Sequence, residues 1–158
     1  MKSTLIAFPA ALALAMLPLA SVAQTRFCIG GDLEHLSTAQ RNACYATLNA
    51  VRNTASALHA PDGWHFVVVC GEDGWKQYAA FSERGEDAVQ DASADTDVEE
   101  HVTFFREERL HAPQPHALQR VVAHEIAAIL LKTEDENAIQ TQMATWERQS
   151  QTQQAALR

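Results

Sequence analysis

Runs of apolar residues and their spacing divide the chain into a few elements. Leu5 to Leu19 is almost wholly apolar, follows Lys2 and precedes the small residues Ser21-Val22-Ala23. That is the pattern of a secretory signal peptide over residues 1–23. Pro9 and Pro18 interrupt the run, and it is shorter than the roughly 20 apolar residues of a membrane span. From Gln24 onward, Ser37 and Gln40 have capping-box spacing. They open a helix to about His59, in which Cys44, Leu48, Val51, Ala55 and Leu58 recur at helical intervals. Ala60-Pro61-Asp62-Gly63 stops it with turn residues. Trp64 to Cys70 is β-branched and aromatic and predicts a central strand. The chain then turns into a short helix carrying Trp75, Tyr78 and Ala79 on one side.

Ser82 to Glu100 is acidic and rich in small residues, which predicts a solvated loop; its acids lack the spacing of an EF-hand. His101 to Arg106 predicts a second strand, and Pro113 and Pro115 break the chain after it. Ala117 to about Lys132 is the most apolar stretch beyond the leader. Leu118, Val121, Val122, Ile126, Ile129 and Leu130 cover more than a third of its circumference, so this helix belongs in the core. Thr133 and Glu136 repeat the capping-box spacing and open a last helix with Ile139, Met143 and Trp146 on one stripe. After Glu147 the composition turns to Gln, Ser and Thr, which predicts a fraying polar tail over residues 149–158. The order helix, strand, helix, strand, helix, helix predicts a single α+β domain with a small sheet over residues 24–148.

Charge narrows the function classes. With 12 Lys and Arg against 20 Asp and Glu the chain carries −8, and loss of Lys2 with the leader takes the remainder to −9. A nucleic-acid surface needs the opposite balance, and an anionic membrane needs a cationic patch that is missing. The expectation is an acidic, exported protein, periplasmic or secreted, with no membrane association after leader cleavage. Export favours a disulfide, and three cysteines leave one thiol over. Cys28 with Cys44 is the preferred pair, because it tethers the terminus with a ring of about 15 residues, on the order of 3 kcal/mol. Cys28–Cys70 and Cys44–Cys70 stay open, and Cys70 is otherwise a buried thiol. The three tryptophans, Trp64, Trp75 and Trp146, are expected as core anchors.

Chemistry concentrates in one segment, Val121 to Leu131, where His124-Glu125 sits on the apolar helix. This is half of an HExxH motif, in which histidines at i and i+4 chelate zinc and the glutamate between them deprotonates the bound water. The i+4 position here is Ala128. The bland alternatives are a core-edge histidine bonded to a carbonyl or carboxylate, and Glu125 as an exposed charge or a partner of Arg120 or Arg109. In the same reading Glu136 caps Thr133 and Asp135 favours the helix dipole.

With its surroundings, from Val102-Thr103-Phe104-Phe105-Arg106 through His124-Glu125 and Thr133-Glu134-Asp135-Glu136 to Trp146, the segment resembles the small exported bacterial zincin-type metallopeptidase family. The motif-bearing part covers about 45 of the 135 residues after the leader. The resemblance implies a backing helix, a small sheet, a central apolar helix and a C-terminal helix. It makes His124 the first zinc ligand and Glu125 the general base, with Asp135 or Glu136 near the third ligand and Ala128 where the second belongs. It implies no retained cofactor unless a distant residue completes a zinc site; His101, His111 and His116 do not stand at i±3 or i±4 from His124. The expected function is binding of a protein or peptide rather than hydrolysis, with an extended peptide added beside Phe104, Phe105 and Arg106. The alternatives are an atypical zinc metallopeptidase, and an exported structural or inhibitory protein with an accidental His-Glu pair. No serine-triad or phosphate-loop motif is present.

Overall fold

A computed structural model describes residues 24–82, 84–110 and 116–157. Residues 1–23, where the signal peptide is expected, and Glu83, His111, Pro113 and Pro115 lie outside the described residues. The elements run β1 (Arg26–Gly30), a 3-10 turn (Leu33–His35), α1 (Thr38–Ala57), β2 (His65–Val69), α2 (Glu72–Phe81), α3 (Glu86–Val89), β3 (Ala94–Asp97), β4 (Val102–Arg106), α4 (Glu107–Leu110), α5 (Ala117–Leu131) and α6 (Glu136–Ala156). The strands form one sheet in the order β1-β2-β4-β3, with β3 alone antiparallel. The molecule is therefore α+β with a small sheet, as the element order predicts. Among the described residues no helix is long and apolar enough to cross a membrane.

Alternation along the strands fixes what each face of the sheet meets. Trp64, Phe66, Val68 and Cys70 of the β2 segment, and Phe105 of β4, belong to the core with Cys44, Val51 and Ala55 of α1 and Val122 and Ile126 of α5. Phe27 and Ile29 of β1 pack against the same core. Residues of opposite parity face away: Gly74 of α2 lies over Val69, and Tyr78 stacks on Phe104 with ring centroids 4.2 Å apart. Trp64 and Trp75 are buried, as core anchors should be, and Trp146 is half-buried against the same core.

This parity corrects the disulfide. The bridge joins Cys44 to Cys70 across a Cα–Cα distance of 6.0 Å, and Cys28 is a free, exposed thiol whose pKa burial nonetheless pushes up. Cys28 lies between Phe27 and Ile29, so its side chain leaves the opposite face of the sheet from α1. Cys70 continues the inward series of Phe66 and Val68 and meets Cys44 directly.

A second correction concerns the acidic stretch from Ser82 to Glu100, which contains α3 and the strand β3. Ala94 and Thr96 turn towards α5, while Asp95 turns to the other face and is buried. Its carboxylate accepts hydrogen bonds from the Tyr78 hydroxyl at 2.5 Å and the Ser82 hydroxyl at 3.3 Å, and pairs with Arg84 at 2.9 Å. A buried carboxylate with three partners is stable where a bare one is not. Because β3 flanks β4, the segment Phe104-Phe105-Arg106 is interior and has no free edge for a peptide; the outer strands are β1 and β3.

The last helix differs in both ends. Its N-cap is Asp135, whose carboxylate accepts the Asn137 N–H at 3.0 Å, and Thr133 instead accepts the Asp135 N–H. Beyond Glu147 the polar segment stays helical to Ala156 as an exposed extension.

Candidate functional site

Helix α5 owes its central position to two apolar faces. Leu118, Val122, Ile126 and Ile129 pack into the main core, while Ala127 meets Ile139 and Met143 of α6, with Ala123 and Ala128 beside them. Between these faces His124 and Glu125 emerge at a groove of about 290 Å³, lined also by Ala94, Arg120, Gln140 and Met143. The αL residue Lys132 ends α5, and the amides of Lys132 and Thr133 both bond the Ala128 carbonyl. That tight stop brings the start of α6 back over His124.

The imidazole of His124 is held from both sides. Its Nε2 lies 2.9 Å from Glu136 Oε2 and its Nδ1 lies 3.3 Å from Glu125 Oε1. Carboxylates accept and do not donate, so satisfying both contacts requires a proton on each ring nitrogen. The Glu125 hydrogen bond raises the His124 pKa to about 9, against the opposing effect of burial and with further help from Glu136. Glu136 is held below the usual carboxylate range by hydrogen bonds from His124 and from the Gln140 amide at 2.6 Å.

Glu125 is anchored from the core. The Trp64 indole N–H, which can only donate, bonds Thr103 Oγ1 at 3.0 Å; Thr103 and Thr96 share a 2.9 Å contact; Thr96 bonds Glu125 Oε2 at 2.7 Å. With a pure donor at one end and a carboxylate at the other, both hydroxyls must point the same way. The series runs Trp64 to Thr103 to Thr96 to Glu125, then through protonated His124 to Glu136. It ties β2, β4, β3, α5 and α6 together.

Of the sequence-derived candidates, the structure brings His124, Glu125 and Glu136 into contact. Asp135 is used as the α6 cap, and Glu136 bonds His124 rather than capping Thr133. Glu125 meets neither expected arginine: Thr96 takes that place, and Arg109 pairs with Asp91 at 3.2 Å. His101 stacks on Trp64 at 5.1 Å and His116 sits at the α5 N-cap, while His111 lies outside the described residues. Trp64, Thr96, Thr103 and Gln140 were not legible as site residues, since they approach from other elements. The alternation of Thr96 with Asp95 and Asp97 was the one available hint.

Among the described residues the donor set does not fit zinc. A catalytic site uses three protein ligands with histidine neutral. Here both ring nitrogens of His124 face carboxylates and Ala128 supplies no donor. Among the described residues no three His, Cys, Asp or Glu side chains group as a metal site. Comparison with known proteins gives no matching family model, no matching curated protein and no matching solved structure.

Proposed function

We propose that this chain is an exported zincin-like domain that no longer holds zinc and acts by binding a protein or peptide segment. The observation that carries the reading is the closed arrangement of Glu125, His124 and Glu136, with Ala128 packed into the α5–α6 seam where a second histidine would stand. An HE helix, a carboxylate from the next helix and an outer antiparallel strand beside them support the zincin kinship. A peptide-binding surface survives loss of metal, whereas hydrolysis does not.

The binding element is β3 in place of the interior Phe104-Phe105-Arg106 strand. The Arg106 amide bonds the Ser93 carbonyl at 2.9 Å. The alternation of an antiparallel ladder then turns the backbone groups of Ala94 and Thr96 towards the open side.

Residues 24–158 are tested against a displayed library of random peptides and a fluorogenic peptide pool with added zinc. The expected result is enrichment of extended peptides that slow hydrogen exchange at the Ala94 and Thr96 amides, and no cleavage above a Glu125→Gln control. Cleavage abolished by Glu125→Gln, or no peptide enrichment, overturns the reading.

A further inference from the structure

A second groove, of about 750 Å³, lies between α2 and the β3–β4 hairpin, largely on the sheet face away from His124. Its floor is aromatic and aliphatic: Tyr78 stacked on Phe104, with Val102 alongside. Phe81, at the end of α2, and Val98, just after β3, both line it and are 87% and 60% exposed. A single exposed apolar side chain needs no explanation, but two around one aromatic floor form a concave apolar patch.

The rim has one sign of charge. Asp97, Glu99, Glu100 and Glu134 line the groove, and among the described residues its one lining cation, Arg84, is paired with the buried Asp95. Asp97 accepts the amides of Glu99 and Glu100, both at 2.9 Å, which fixes the turn that presents those two exposed carboxylates. Carboxylates gathered around a low-dielectric floor repel anionic ligands and steer cations, and the apolar floor rewards an inserted side chain.

We infer that this groove binds a basic, extended peptide segment of a partner protein, whose Lys or Arg side chains meet Glu99, Glu100 and Glu134 while an aliphatic side chain inserts against Phe81 and Phe104. The inference rests on the binding reading above only in naming the partner's chemistry, and it is independent of the zincin kinship.

The test uses residues 24–158 and a labelled heptapeptide alternating lysine and leucine, followed by fluorescence anisotropy at low and high salt. Saturable binding that weakens with salt is expected. Phe81→Ser alone and Glu99→Lys with Glu100→Lys are each expected to weaken it by about tenfold or more, a difference of about 1.4 kcal/mol. Asp62→Lys with Glu147→Lys makes the same change in net charge elsewhere and should leave binding intact. Circular dichroism checks that every variant folds, and the groove residues changed are exposed. Equal binding by the groove variants, an all-lysine heptapeptide bound as tightly, or no binding overturns the inference. None of these outcomes bears on zinc content or hydrolysis, so this failure and failure of the zincin-like reading are distinguishable.

Discussion

At the scale of single residues, His124 is a proton-carrying clamp between two helices. Its pKa is raised in the folded chain from an ordinary 6.5 to about 9. Its contribution to stability is therefore fully present below pH 6.5 and is lost as pH climbs through about 9. Glu136 is shifted down from 4.5, so its contribution is present above pH 4.5 and lost as pH falls through its lowered value. Thermal melts across pH should show a plateau from 4.5 to 6.5 and a decline towards pH 9 that His124→Gln flattens. Thr96→Val removes the donor that Glu125 depends on and should cost about 1–2 kcal/mol in urea unfolding. The His-Glu pair was legible because it stands on one strongly apolar helix, and Glu136 only through the resemblance, since the turn at Lys132 rather than helical spacing brings it to His124. Thr96 and Thr103 were not, because only strand pairing and tertiary packing bring them to Glu125.

At the scale of elements, strand parity decides which cysteines can meet. Phe27 and Ile29 flank Cys28, and Cys70 extends the Phe66, Val68 series, so the same period of two that predicts β2 also separates Cys28 from Cys44. The Cys44–Cys70 bridge spans a sequence separation of 26. Replacing both by serine should lower stability by about 3 kcal/mol, whereas Cys28→Ser should stay within about 0.5 kcal/mol, both read from denaturant midpoints. The α5–α6 seam gives another check. Ala128 packs beside Ala127, Ile139 and Met143, so Ala128→His overfills it and should cost about 1–3 kcal/mol. The helices α1 and α5 were legible because their apolar stripes are long. Strand β3 was hidden, because four residues with two aspartates carry a charge signal that outweighs their alternation.

At the scale of the whole molecule, the fold separates two surfaces. One is the His124 groove between α5, α6 and β3; the other is the acidic groove beneath α2 on the opposite face. They share the outer strand β3, which is why the proposed peptide-binding element is β3 and not the interior β4. The excess of acidic residues, −8 over the chain, has the sign that the proposed basic partner segment would meet. The central claim is that the HE helix is kept as a scaffold while its metal chemistry is gone. The most direct measurement is elemental analysis of residues 24–158, purified from an export compartment without chelator or a metal-affinity tag. Zinc below about a tenth of an ion per chain is expected, since a catalytic centre needs three protein ligands. Near-stoichiometric zinc would contradict the claim, and would require a ligand standing in for Ala128.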